Sequence, residues 1–201
     1  MPYILGNRGN SYGLVNFDHN SFDDYLLFQE GRFINEDNIF LSYKIKSMVD
    51  LAKVKKFPCI KSTGPMLVSA ALRSVFKKEE DEGEVQFINA NISCEDKNIN
   101  DFFAINPLNR VDCIDMERSE YSITNFDPQN PKYMFDYQVL RDELKDEFGR
   151  TLNIATCNEM PVEIIISDMV AEKIKQSKIK GFLLYRSLDM TMQDRSIYIR
   201  L

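Results

Sequence analysis

Three carboxylates, Asp112, Asp115 and Glu117, stand within six residues of one another, and that spacing allows two kinds of chemistry. Carboxylate oxygens so placed are suited to Mg²⁺, and a pair of acids can divide proton-donating and proton-accepting roles. The same stretch also reads as an amphipathic segment. Val111, Cys113 or Ile114, and Met116 then face inward, leaving Asp112, Asp115, Glu117 and Glu120 for solvent, where unpaired acids ordinarily stay. No second acidic motif answers the first, so the solvated face is the expectation. His19, the single histidine, lies among Asn16, Asp18, Asn20 and Ser21, a loop composition that predicts a surface residue rather than a general base. Cys59, Cys94, Cys113 and Cys157 are dispersed with no Cys-x-x-Cys pair, which argues against zinc. Gly-x-Ser-x-Gly is absent. Gly6, Gly9 and Gly13 precede no Gly-Lys-Ser/Thr, so a turn region is expected there instead of a phosphate loop. The sequence thus predicts no catalytic, cofactor-binding or metal-binding residue.

The elements that must carry these residues come from an ordinary globular composition. Of 201 residues, 44% are hydrophobic and 28% charged, which excludes collagen-like and disordered classes. No apolar stretch has the length of a membrane span or a signal peptide, so a cytoplasmic protein with reduced, mostly buried thiols is expected. The net charge of -6 argues against a broad nucleic-acid face, which needs clustered Lys and Arg. The charge is concentrated: residues 101–147 hold 11 acidic and 5 basic side chains, net -6, while the rest of the chain nets to zero.

One local pattern occurs twice. Met66-Leu67-Val68 is followed by Ser69, by apolar residues at helical spacing (Leu72, Val75, Phe76), by Gly83, and by Val85-Gln86-Phe87. Ile164-Ile165-Ile166 is followed by Ser167, by Val170, Ala171 and Ile174, by Gly181, and by Phe182-Leu183-Leu184-Tyr185. Both Ser-to-Gly intervals are 14 residues, and the serines lie 98 residues apart, as do Cys59 and Cys157. Each serine is placed to cap a helix and each glycine to end one. Met66–Phe87 and Ile164–Tyr185 are therefore expected to form equivalent strand–helix–strand units on a shared sheet. The lysines at 173, 175, 178 and 180 read as the solvated side of the second helix. Elsewhere, Tyr25–Phe28 and Phe33-Ile34 read as a hairpin turning at Glu30-Gly31, with strands at Phe40–Ile45, Tyr133–Leu140, Leu152–Ala155 and Ile197–Ile199. The fold expected is a single α+β domain with a mixed or antiparallel sheet and two pseudo-duplicated strand–helix–strand units. Within it, 1–60 is strand-rich, 61–100 the first unit, 101–160 an acidic centre, and 161–201 the second unit and last strand.

The block Asn106-x-Leu108-x-x-Val111-Asp112-x-x-Asp115-x-x-x-Ser119-x-Tyr121, with Ile164-Ile165-Ile166-Ser167 and Gly181-Phe182 after it, resembles a bacterial immunity-protein family. Its members are encoded beside polymorphic or type VI secreted toxins and are best known from a myxobacterial relative. The resemblance covers roughly residues 60–190. It implies a protein that binds and neutralises a cognate toxin and has no catalytic residues. Acidity fits that role, because a nuclease toxin offers a basic cleft to an acidic inhibitor. Asp112, Asp115, Glu117 and Glu120 are then the candidate toxin contacts. The partner expected is the toxin, with neither nucleic acid nor membrane. A non-catalytic adaptor and a small carboxylate-dependent hydrolase that reverses toxin damage are the alternatives.

Overall fold

The two uninterrupted apolar runs are strands covered on both sides, which is why neither alternates with polar residues. Ile164 and Ile166 enter one hydrophobic core and Ile165 another. Val68 and Leu67 divide in the same way between two cores. The computed structural model describes residues 1–7, 15–22, 26–35, 39–45, 51–94, 97–123, 132–189 and 198–200.

In chain order the elements begin with β1 (Tyr3–Asn7), β2 (Val15–Phe17), α1 (Leu27–Glu30), β3 (Leu41–Ile45), α2 (Leu51–Val54), β4 (Cys59–Ile60) and β5 (Leu67–Ser69). There follow α3 (Ala70–Val75), α4 (Lys77–Asp81), β6 (Val85–Cys94), β7 (Lys97–Pro107), β8 (Arg110–Val111), β9 (Glu120–Ile123) and β10 (Tyr133–Val139). The chain continues through β11 (Ile154–Cys157), β12 (Ile164–Ile166), α5 (Asp168–Gln176), β13 (Phe182–Tyr185), β14 (Ser187–Asp189) and β15 (Tyr198–Arg200). Two six-stranded sheets run β2-β3-β6-β7-β5-β4 and β15-β13-β1-β12-β11-β8, and a three-stranded sheet runs β14-β10-β9. Most pairs are antiparallel; β3 with β6 and β8 with β11 are parallel. The class is α+β with mixed sheets, as expected.

The duplication is present, with a detail the sequence hides. Each unit is a split strand–helix–strand: its two strands run parallel, and an antiparallel strand lies between them. That strand is β7 in the first unit and β1 in the second. The units do not share a sheet, contrary to expectation; each anchors its own. What they share is a core, built from the inner faces of both sheets, from α3 and the Phe76 that follows it, and from α5: Leu72, Phe76, Val170 and Ile174 meet Val68, Phe87, Tyr3 and Ile166 there. Both serines cap as expected, Ser69 Oγ accepting from Leu72 N and Ser167 Oγ from Val170 N, each at 3.3 Å.

Other expectations are corrected. Gly83 (φ 73°) follows α4 directly, but α5 ends at Gln176 and Lys178 takes the left-handed position (φ 57°), so Gly181 opens β13 rather than closing the helix. The cysteine register is coincidental. Cys59 pairs with Val68, whereas Ile154 holds the matching place opposite Ile166, and Cys157 lies three residues further on. Leu27–Glu30 is one helical turn ended by Gly31 (φ 66°), not a hairpin arm; Tyr25 lies outside the described residues. Gly6, expected in a turn region, lies instead in β1, an inner strand between β12 and β13; Gly9 and Gly13 lie outside the described residues. Lys173 is not merely solvated. Its Nζ donates at 2.7 Å to Glu79, whose side chain is completely buried. His19 is exposed, in a 3-10 turn.

Candidate partner-binding face

The acidic segment starts where β8 ends. β8 runs parallel to β11 at the edge of its sheet, with Thr156 N donating to Asn109 O (2.8 Å) and Asn158 N to Val111 O (2.9 Å). The chain then leaves the sheet, and Glu159 pins it: its carboxylate accepts from Cys113 N (3.1 Å) and Ile114 N (3.4 Å). Val111, Cys113 and Ile114 are buried against Leu140, Leu144 and Leu152. Cys113 and Ile114, expected as alternatives, are both inward, and Met116 packs at the margin.

The four acids have different fates. Asp112 is exposed, accepts from Asn158 Nδ2 at 2.7 Å and stands 3.9 Å from Arg141. Asp115 is a turn-former. One oxygen accepts from Glu117 N and Arg118 N, both at 3.1 Å, and the other from Arg118 Nε at 2.5 Å. The Arg118 guanidinium, then the backbone amides, hold its carboxyl below the ordinary aspartate range. Ser119 continues the work, donating to Asp115 O (2.6 Å) and accepting from Val139 N (3.0 Å). Glu117 and Glu120 are exposed and enter no ion pair among the described residues. Asn106, the first residue of the block, is completely buried and donates to Arg32 O and to Gln86. Asn106, Asp115 and Ser119 therefore position the segment, whereas Glu117 and Glu120 are displayed by it.

Around Asp112 a polar cavity of about 920 Å³ opens, lined among others by Arg110, Arg141, Lys145, Asp146, Phe148 and Arg150. Three of the five bases of the acidic stretch, Arg110, Arg141 and Lys145, thus gather on one concavity with Arg150. Much of the stretch's negative charge is matched at close range, Asp142 by Arg118 (3.5 Å), Glu143 by Lys145 (2.6 Å) and Asp146 by Arg150 (3.0 Å). At the rim Phe148 is 86% exposed, on a turn closed by Asp146, which accepts from Phe148 N (3.0 Å) and Arg150 N (2.8 Å). Sequence reading passed over Phe148; the signal was an aromatic beside glycine inside a charged run. It also passed over the apolar exposure beyond Glu120, where Tyr121 is 40%, Ile123 60% and Met134 57% exposed. A second cavity, about 340 Å³ and mostly apolar, lies between the β4–β5 and β11–β12 turns. Lys61 joins the two turns, with Nζ at 2.7 and 2.8 Å from the Glu163 oxygens.

Among the described residues, no three His, Cys, Asp or Glu side chains are grouped to hold a metal. None of the four cysteines is in a disulfide: Cys59, Cys113 and Cys157 are buried and Cys94 half-buried. Burial pushes the Cys59 thiol up to about 12. The bond with Cys113, together with burial, raises that of Cys157. Among the described residues no helix is long and apolar enough to cross a membrane. No curated protein matches this chain. A family does: the immunity protein family Imm11 matches residues 15–188, from the start of β2 into β14. The match takes in the Asn106–Tyr121 block and both repeated units, apart from the inserted strand β1. The chain belongs to the Imm11 immunity protein family.

Proposed function

We propose that this protein binds and neutralises a cognate antibacterial toxin in the cytoplasm of the cell that makes both, protecting that cell and its kin. The toxin comes from a polymorphic or type VI secretion system, and inhibition is stoichiometric occlusion without turnover. Membership of an immunity family over residues 15–188 carries the reading. The exposed acids Glu117 and Glu120, displayed by a segment fastened at Asp115, Ser119 and Glu159, support a contact made by a preorganised surface, which binds at lower entropic cost than a loose one. The net charge of -6 favours a basic partner, and a nuclease with a phosphate-binding cleft is the toxin class that fits. The test is rescue. The toxin encoded by the neighbouring gene is expressed with and without this chain, and a complex is sought by co-purification. Growth restored together with a 1:1 complex is the expected result. Growth restored by catalytic amounts of the chain, with no complex, would replace occlusion with enzymatic reversal.

A further inference from the structure

Among the described residues, strand β9 is an uncovered edge. Among the described strands its only neighbour is β10, so one row of its backbone amides and carbonyls faces away from the sheet. All four of its residues are exposed. Such a row is a template for another strand, and soluble proteins ordinarily blunt it with a short strand, charge (lysine above all), proline or a bulge; β9 has the short length and one charge, Glu120. Glu120-Tyr121-Ser122-Ile123 contains neither lysine nor proline, and the irregularity in this pair falls on β10, between Phe135 and Tyr137. The edge is also anchored by ring packing. Tyr121 lies with its ring centroid 5.5 Å from that of Tyr133 and 5.7 Å from that of Phe135, and Phe135 is rooted in a buried core.

The chemistry beside this edge selects an occupant. Tyr121 and Ile123 are apolar and accessible. Glu117, Glu120 and the exposed Asp136 enter no ion pair among the described residues. By register Glu120 and Asp136 lie at one end of the β9–β10 pair, while Lys132 stands beyond the other, next to Ile123. Pairing β9 with β9 of a second copy in the parallel sense would set Glu120 against Glu120, which like charge disfavours, and in the antiparallel sense would offer the three acids of each copy a single lysine, Lys132. We propose that β9 receives an extended strand of the toxin. That strand adds to the sheet by main-chain hydrogen bonds, lays apolar side chains over Tyr121 and Ile123, and brings lysine or arginine to Glu117, Glu120 and Asp136. This is recognition by strand addition, and it rests on the immunity reading above.

The experiment measures amide hydrogen exchange of the full chain, alone and bound to an inactivated form of the toxin encoded by the neighbouring gene. It is joined to binding of Ile123→Lys and of Tyr121→Lys/Ile123→Lys. Expected are slowed exchange within residues 120–123 in the complex and at least tenfold weaker binding of the double variant. Ile123→Lys should show an intermediate loss and keep the wild-type melting curve, so it carries the test if the double variant misfolds. Unchanged exchange at 120–123 together with wild-type affinity for Ile123→Lys would overturn strand addition and leave the immunity reading intact. Protection of 120–123 in the chain alone, rising with its concentration, would overturn it in favour of self-pairing. A wild-type chain that neither binds nor neutralises that toxin would overturn the immunity reading itself, and this inference with it.

Discussion

Asp115 and Glu117 are two residues apart and carry the same charge, yet three hydrogen bonds fasten the first and the second is open to solvent. Asp115→Ala should therefore lower the melting temperature, while Glu117→Ala should leave it unchanged; differential scanning calorimetry at pH 7 separates them. The sign with pH follows from the lowered Asp115 carboxyl. Its contribution is present above the ordinary aspartate range and is lost as pH falls through its folded value, so Asp115→Asn should flatten the acid limb of the stability profile. Glu84 behaves in the opposite sense. Burial raises its carboxyl, although the amides of Asn153 and Ile154 donate to it. A raised folded value favours the fold below the ordinary glutamate range, and that contribution is lost as pH rises through the raised value. The Gln oxygen of Glu84→Gln can still accept from Asn153 N, whose bond to Glu84 is 2.8 Å, without a buried charge. The variant should gain stability relative to wild type between pH 5 and pH 8, read by urea denaturation at both; a gain that shrank with rising pH would contradict it.

At the scale of elements, the caps are where sequence and structure agree most closely. Ser69→Ala and Ser167→Ala should each cost about 1 kcal/mol, measurable as a shift in urea midpoint. The joint between the units is costlier. Lys173 meets the wholly buried Glu79 across α4 and α5, so Lys173→Met should strand a buried carboxylate and cost about 3 kcal/mol, against almost nothing for the exposed Lys180. The strand–serine–helix pattern was legible because it is local: an apolar run, a capping hydroxyl and a helical period lie within some twenty residues. What joined the units was not. β1 is short, carries Gly6 and Asn7, and becomes a strand through neighbours more than 150 positions away, Ile165 and Leu184. Likewise Lys173 has the sequence signature of a solvated lysine, and only the approach of α4 changes its role. The candidate site divides the same way. The apolar and acidic pattern along 111–117 separated Val111 from Asp112 and Glu117, but Cys113 and Ile114 are both buried and Asp115 is half-buried. The pattern could not distinguish a carboxylate that folds a turn from one left open to solvent, because that depends on where Arg118 and Asn158 come to lie.

For the molecule as a whole, the question is how much of its field survives folding. The stretch 101–147 carries net -6, but Arg110, Arg141, Lys145 and Arg150 converge on the cavity beside Asp112, and Asp142, Glu143 and Asp146 are matched at close range. The potential a partner meets there is therefore close to balanced. Among the described acids of the stretch, Asp101, Glu117, Glu120, Asp136 and Glu147 enter no ion pair, and three of them, Glu117, Glu120 and Asp136, lie about β9. Exposed charges at the rim of an interface act mainly on the rate of encounter and are screened by salt, with a Debye length of about 8 Å at physiological ionic strength. Reversing Glu117 and Glu120 together should thus slow association with the toxin about tenfold at low salt, by loss of electrostatic steering. It should flatten the salt dependence, change dissociation much less, and leave the melting curve as it was. Asp112 is tied to Asn158 and faces Arg141, so Asp112→Asn should leave association nearly unchanged. Stopped-flow binding at low and high salt distinguishes these outcomes. If the Glu117 and Glu120 reversals changed neither rate while Phe148→Ala increased dissociation, the contact would lie at the cavity rim. Recognition would then rest on an exposed aromatic held by the Asp146 turn rather than on acidic charge.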